Sequence, residues 1–296
     1  MSKKHPIIAV TGSSGAGTSS VKTAFEHIFR RQGYNAAVIQ GDGFHRYDRE
    51  QMDKTVEDAA RDGRHITHFG VEGNLFDELD ELFKGYAKNG SGKRRFYVHN
   101  ETDGAVHGYP PGAFTPWEAL PKNTDLLFYE GLHGGLVTGD YDFAGYVDLL
   151  IGVTPIINLE WIQKIYRDKD VRGYTAEDAT MMILDRMHDY VHYITPQFSR
   201  TDINFQRVPT VDTANPFGAV QIPTSDESFT VIHIRNREKF NTDFHYLLEM
   251  LNGSFMSTPY TIVVPAGKTD FAMQLIMDPI VKALVEQRGA DAVADH

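Results

Sequence analysis

The sequence predicts an α/β protein with a doubly wound, mostly parallel (mixed) sheet and helices on both faces. An apolar run from Ile7 to Val10 leads into a glycine-rich turn and then a helical pattern, and further short apolar runs alternate with helical patterns along the chain. A length of 296 residues suffices for one such domain. We therefore expect a single domain over 1–290, with a lid segment near 155–200 and a frayed C-terminal tail at 291–296.

The glycine-rich turn is the first candidate site. It matches GxxxxGK[ST] at Gly12, Gly17 and Ser19, except that Thr18 occupies the lysine position. A strand, a glycine loop and a helix in this order present several backbone N–H groups and a helix dipole to one anion, typically a nucleotide phosphate. A turn whose small residues only allow close packing is the structural alternative. The nucleotide-binding candidates are Gly12, Ser13, Ser14, Gly15, Ala16, Gly17, Thr18, Ser19 and Ser20.

Other elements follow from periodicity and turn residues. The helix after the turn is expected to stop at Gly33, and a capping-box pattern at Thr175 opens another helix. A turn near 88–95 and a second turn at 109–112 predict an antiparallel excursion. We predict strands at 36–40, 95–99, 126–130, 147–153, 205–208, 229–235 and 260–264. We predict further helices at 50–63, 72–86, 160–170, 244–251 and 270–286.

Composition excludes several classes of function. The chain has no cysteine, which rules out disulfides, thiolate metal sites and a cysteine nucleophile. A net charge of -11 argues against a broad surface for nucleic acid or anionic membrane, so an anion site must be a local cationic cluster. No apolar run approaches the roughly 18 residues of a membrane span. We expect a cytoplasmic protein that contacts neither membrane nor nucleic acid.

Two carboxylates follow predicted strands. Asp42 lies between two glycines, where it could accept a proton from an attacking hydroxyl or help to hold Mg²⁺. Glu130 ends an apolar strand, a position suited to the metal shell, and Ser19 offers a hydroxyl to the same ion. The structural alternatives are a turn-forming aspartate and a solvated or capping glutamate.

The cation missing at Thr18 must come from elsewhere. Lys164, Arg167, Asp168 and Arg172 share one face of a predicted helix, which could close over the phosphates. An ordinary solvated face with internal ion pairs is the alternative.

A phosphorylated acceptor would need further donors. His45, Arg46 and Arg49 follow Asp42, while Tyr97 and His99 end the strand predicted at 95–99. Arg46 is the weakest of these candidates, because adjacent residues on one element rarely point the same way.

Several long motifs, in order, resemble the bacterial phosphoribulokinases of the P-loop kinase superfamily, whose fold is like that of nucleoside-monophosphate kinases. The motifs lie at 12–19, 41–47, 128–133, 158–164, 193–200 and 204–209, and the likeness runs almost to the C-terminus. A threonine at the position of Thr18 is usual in that family.

The resemblance implies ATP- and Mg²⁺-dependent phosphorylation of the 1-hydroxyl of D-ribulose 5-phosphate, as in carbon fixation. By it, Asp42 is the base, Asp168 is a further essential acid and Glu130 belongs to the metal site. It places Lys164 and Arg167 near the transferred phosphoryl group. His45, Arg49 and Arg172 would bind the sugar phosphate.

The resemblance also implies homo-oligomers, often octamers, with NADH as activator and AMP as inhibitor. The family's effector site is built from arginines, for which Arg186 and Arg235 are candidates here. Because Asp185 precedes Arg186 and His233 precedes Arg235, part of that cationic cluster is absent, and we expect weak or absent activation by NADH.

Two other functions compete with a sugar-phosphate kinase. A uridine-kinase-like enzyme would share the fold, but its nucleoside acceptor has no phosphate and needs none of the arginines around Asp42. A non-catalytic nucleotide-binding regulator, or a GTPase-like switch, would bind nucleotide without turning it over.

Overall fold

The fold was analysed in a computed structural model, which describes residues 5–13, 16–154, 156–218 and 221–294. Its strands are β1 (Ile7–Thr11), β2 (Ala36–Gln40), β3 (Lys93–Arg94), β4 (Glu118–Ala119), β5 (Leu126–Gly131), β6 (Val137–Thr138), β7 (Tyr141–Asp142), β8 (Leu149–Val153), β9 (Ile203–Pro209), β10 (Ser228–Ile234), β11 (Phe255–Thr258) and β12 (Thr261–Pro265).

Its α-helices are α1 (Thr18–Gln32), α2 (Arg49–Arg61), α3 (Phe76–Asn89), α4 (Glu101–His107), α5 (Ile157–Arg172), α6 (Ala176–Asp185), α7 (Met187–Asp189), α8 (Phe244–Met250) and α9 (Thr269–Ala294). A π-turn over Tyr190–Ile194 and a 3₁₀ turn over Thr195–Ser199 connect α7 to β9. Among the described residues, no helix combines the length and the apolar character needed to cross a bilayer.

The central sheet places the polar strand ends together. Within the described residues it has eight strands in the order β11-β12-β10-β9-β8-β1-β5-β2. The five neighbouring strands β9, β8, β1, β5 and β2 run parallel to one another. Strands β10, β12 and β11 extend the sheet by antiparallel pairing, beginning with β10 on β9. The carboxyl ends of β1, β5 and β2 therefore meet at one edge, where doubly wound sheets bind their ligands.

Alternation along β1 builds a core on both faces of the sheet. Ile8 and Val10 pack with α1, α8 and α9, while Ile7 and Ala9 pack on the opposite face with α3. All four side chains are fully buried. The predicted doubly wound architecture, mostly parallel with antiparallel strands on one side, is confirmed.

Most predicted elements are present with small shifts at their ends. The stop at Gly33 and the capping box at Thr175 are confirmed, since Gly33 has φ +71° and Thr175 accepts from the backbone N–H of Asp178. The helix predicted from 72 begins at Phe76, after a 3₁₀ turn. The final helix reaches Ala294, past the expected start of a frayed tail at 291, and 295–296 lie outside the described residues.

The strand predicted at 95–99 is wrong. The excursion is antiparallel as expected, but its ladder is β3 with β4 and a single bridge from Tyr97 to Phe114. Arg95 instead turns toward the sheet edge, where its guanidinium donates to the carbonyls of Gly43 and His45. These side-chain bonds hold the segment against a neighbouring loop, and α4 follows it without having been predicted.

Phe128 on β5 tests this core. Its ring lies 4.8 Å from that of Phe25 and 5.6 Å from that of Phe29, and it is fully buried. We expect Phe128→Ala to cost about 3–5 kcal/mol of the free energy of unfolding, because the cavity cannot close. Val106→Ala, at a side chain 75% exposed, should change that free energy by less than about 0.5 kcal/mol. Urea unfolding followed by circular dichroism measures both, and equal midpoints would contradict the packing described here.

Candidate active site

Three loops converge because their strands are adjacent. Val10 of β1 and Gln40 of β2 both lie in register with Glu130 of β5. The residues just beyond these positions, Gly12 and Asp42, therefore emerge on either side of Glu130. Register alone brings the phosphate loop and the two predicted carboxylates to one place.

Backbone geometry explains the glycines of the loop. A Cβ at Gly12 would lie 2.8 Å from Cγ2 of Thr18 and 3.1 Å from Cβ of Val153, and Gly17 has φ +99°. A side chain would clash at the first position and be strained at the second. Ser14 and Gly15 lie outside the described residues, as do the side chains of Ser19 and Arg172.

Thr18 contacts the neighbouring carboxylate. Its hydroxyl donates to Glu130, whose pKa is raised by burial and lowered in part by this hydrogen bond. The negative charge of Asp42 raises the pKa of Glu130 further. A threonine at the lysine position thus supplies a hydrogen bond to the acidic side of the site and no positive charge.

Helix α5 docks directly on the phosphate loop. The hydroxyl of Ser13 donates to one oxygen of Glu160, and the hydroxyl of Tyr190 donates to the other at 2.8 Å. Glu160 is only 5% exposed, and its burial raises its pKa against the opposing effects of these two hydrogen bonds. The sequence contains no local signal for this role, because a glutamate in the first turn of a helix is ordinarily solvated.

The predicted cations follow on the same helix. Lys164 donates to Asp168, and Arg167 lies 3.2 Å from the other carboxylate oxygen of Asp168. Lys164 is 8% exposed and Asp168 is fully buried, so the alternative of a solvated helix face is wrong. Burial lowers the pKa of Lys164 to about 8, although the bond to Asp168 opposes the shift. Lys164 and Arg167 also act on the pKa of Glu160, which places their charges beside the loop.

Asp42 lies in a 3₁₀ turn that follows β2. Its two carboxylate oxygens lie 3.5 Å from Nε2 of His45 and 3.3 Å from Nε2 of His99. Arg95 fixes this turn from below through its bonds to Gly43 at 2.8 Å and His45 at 2.6 Å. Asp42 stays about one-third exposed, so a ligand can reach it.

The acceptor candidates surround Asp42 but differ in charge. Burial lowers the pKa of His45 to about 3, so this ring is neutral at physiological pH and can offer a phosphate only a neutral hydrogen bond. Arg49 donates to the backbone carbonyl of His99 at 3.1 Å, and the ring of Tyr97 lies 4.9 Å from that of His99. The guanidinium of Arg46, the weakest candidate, donates to the backbone carbonyls of Glu72 and Asn74.

The donor set suits a divalent cation. Asp42 and Glu130 are close enough for the charge of one to raise the pKa of the other, an excess of negative charge that a metal ion would neutralise. Among the described residues, no group of three or more His, Asp or Glu side chains forms a complete cage. Such a partial set is usual for Mg²⁺, which binds through one or two carboxylates and substrate phosphates.

Comparison with known proteins identifies the family. The model of the Phosphoribulokinase / Uridine kinase family matches residues 7–214. The chain belongs to this family. A chromosomal phosphoribulokinase of Cupriavidus necator is 57% identical over 97% of this chain and 98% of its own. A phosphoribulokinase of Nitrobacter vulgaris is 54% identical over 97% and 99% of the two chains.

A solved relative in the family has the same fold. The phosphoribulokinase from Rhodobacter spheroides is similar with a TM-score of 0.89 and 50% identity, covering 97% of this chain and 100% of that one. The resemblance found in the motifs is therefore confirmed at the level of family and fold.

Arg186 acts electrostatically on three groups of the cleft. Its charge lowers the pKa of Lys164, His45 and His68, and its role as an effector residue stays a prediction. Arg235 instead donates to the backbone carbonyl of Ser199. Sequence reasoning assigned no role to His68 or His133. His68 lies in none of the motifs, and His133 closes the motif at 128–133, where Glu130 was the residue singled out.

Glu160 offers a test of the docked helix. We expect Glu160→Leu to weaken binding of a non-hydrolysable ATP analogue by about 10-fold or more, because it leaves the Ser13 and Tyr190 hydroxyls without their charged partner. Titration calorimetry measures the affinity. Glu249→Leu, at an exposed position on α8, is the matched control. Equal affinities for all three proteins would contradict a link between Glu160 and the phosphate loop.

Proposed function

We propose that this protein is a phosphoribulokinase, which transfers the γ-phosphoryl group of ATP to the 1-hydroxyl of D-ribulose 5-phosphate and yields ribulose 1,5-bisphosphate and ADP. The observation that carries the proposal is the convergence of the phosphate loop, α5 with its buried Lys164, and Asp42 at one sheet edge. The relatives that cover nearly the whole chain are named phosphoribulokinases, which supports this acceptor over a nucleoside.

In the proposed mechanism Asp42 is the general base. It accepts the proton of the 1-hydroxyl while the oxygen attacks the γ-phosphorus and the bond to the ADP oxygen breaks. The ring nitrogens of His45 and His99 lie 3.5 Å and 3.3 Å from the two carboxylate oxygens. Because Asp42 approaches from the end of β2 and the phosphate loop from β1, acceptor and donor enter from opposite sides of Glu130.

Charge neutralisation falls to α5 in this proposal. Lys164 and Arg167 would face the transferred phosphoryl group, and Asp168 would hold both cations in place. Such positioning and electrostatic stabilisation supply most of the catalysis in phosphoryl transfer. Arg49 and Arg172 are proposed to bind the phosphate of the acceptor.

Glu130 and Asp42, with Ser19, are the residues proposed to hold Mg²⁺. When bound with ATP, the ion neutralises phosphate charge and orients the triphosphate. The hydrogen bond from Thr18 fixes the carboxylate of Glu130 for that purpose.

Assembly and regulation extend the proposal. We propose a cytoplasmic homo-oligomer, with an octamer as the form that the resemblance implies, and AMP and NADH as effectors. The response to NADH should be weak, because Arg186 takes part in the electrostatics of the cleft and Arg235 is engaged with Ser199.

A coupled assay for ADP release tests the reaction. With ATP and Mg²⁺, we expect ribulose 5-phosphate to be consumed and uridine to be ignored. Asp42→Asn should lower kcat by about 10²–10⁴-fold while ATP binding is unchanged, because the proton has no acceptor. Asp53→Asn, at an exposed carboxylate of α2, should leave activity unchanged. Turnover of uridine alone, or full activity of Asp42→Asn, would overturn the proposal.

The titration of Lys164 predicts the alkaline side of the pH profile. Because its pKa in the folded protein is about 8, the ammonium is lost as pH rises through that value, and kcat/KM should fall. Lys164→Arg keeps its charge at any accessible pH, so its profile should stay level between about pH 8 and 10. Lys54→Arg, on the exposed face of α2, should retain the wild-type fall. An unchanged alkaline limb in Lys164→Arg would assign the titration to another group.

A further inference from the structure

His68 lies in a rigid loop between α2 and α3. The side chain of Asn74 donates to the carbonyl of His68 at 2.9 Å and to that of Gly70 at 2.7 Å. On the other side, the hydroxyl of Thr67 donates to Asp189 at 2.6 Å. The backbone around His68 is therefore held from within the loop and from the segment after α6.

The ring of His68 belongs to the acceptor side of the cleft. It stacks on the ring of His45 with 4.3 Å between centroids and 29° between planes. His45 in turn lies 3.5 Å from Asp42. The charges of Asp42 and Arg186 both act on His68, so the ring lies within the field of the base and of the cleft cations.

One nitrogen of this ring has no protein partner. Among the described residues, Nδ1 of His68 is buried and makes no hydrogen bond, while the residue as a whole is only partly buried. A buried N–H without an acceptor is more costly than a bare lone pair, which favours the tautomer with its proton on Nε2. Burial also keeps the ring neutral by lowering its pKa well below 6.5. The ring thus offers one neutral donor to the cleft.

We propose that Nε2–H of His68 donates a hydrogen bond to a hydroxyl or carbonyl oxygen at the reacting end of the acceptor sugar. The inference rests on the proposed function, for which it names a specificity-determining contact. His68 stacks on His45, which adjoins Asp42, so its neutral donor suits an uncharged oxygen of the sugar. The guanidinium groups of Arg49 and Arg172 suit the charged phosphate at the other end of the acceptor. No role of this kind follows from the sequence motifs.

Amide replacements distinguish the two ring nitrogens. Glutamine places its NH₂ near the position of Nε2, whereas asparagine reaches only that of Nδ1. We expect His68→Asn and His68→Leu to raise KM for ribulose 5-phosphate by about 5- to 10-fold, the loss of one hydrogen bond, with KM for ATP unchanged. His68→Gln should retain KM within about 2-fold. Calorimetric titration with ribulose 5-phosphate gives the same comparison without turnover.

His65→Asn is the matched control, since His65 is an exposed residue of the same loop. It should leave both KM values unchanged, and circular dichroism should show all four variants folded. Equal KM values in wild type, His68→Asn and His68→Leu would overturn the inference alone. If His68→Asn kept the wild-type KM for ribulose 5-phosphate and His68→Gln raised it, Nδ1 and not Nε2 would be the donor. That result would overturn the proposal. A wild-type protein that neither binds nor phosphorylates ribulose 5-phosphate would overturn the proposed function together with this contact.

Discussion

The hydrogen bond from Ser13 to the buried carboxylate of Glu160 is the contact on which the arrangement of the cleft depends. A phosphate loop with threonine at the lysine position has backbone donors but no positive charge of its own. Glu160 fixes the first turn of α5 against that loop, and Lys164 and Arg167 follow one and two turns later on the same rigid helix. The cation beside the loop is therefore supplied by a helix that packs against the loop, and not by a lysine within the loop itself.

Burial gives these charges their effect. The chain carries a net charge of -11, so exposed cations would be screened and outnumbered. Lys164 and Asp168 are instead removed from water together, where each needs the other to offset its desolvation. A buried pair of this kind is weak evidence for stability, but it fixes the position of the ammonium group. A phosphate that entered the cleft would meet a cation already in place.

The phosphate-loop side of the cleft and the Asp42 side are joined by direct contacts. Tyr190, which donates to Glu160, packs with its ring 6.1 Å from that of Phe69, and Asp189 accepts from Thr67 in the same loop. That loop carries His68 onto His45 beside Asp42. The side chains that follow α6 thus contact both the helix docked on the phosphate loop and the loop that carries His68.

The sequence by itself determined the order of elements, the phosphate loop and the two carboxylates at strand ends, because these depend on local periodicity and on turn residues. The sequence also indicated α5 as the source of the cation that is missing at Thr18, because helical spacing puts Lys164 and Asp168 on one face. Only the tertiary structure decided that this face is buried and that Glu160 attaches α5 to the phosphate loop. It also decided that Arg95 does not form the predicted strand. Those outcomes depend on contacts between residues far apart in the chain: Ser13 and Glu160 are 147 positions apart, and no local pattern records such a pair.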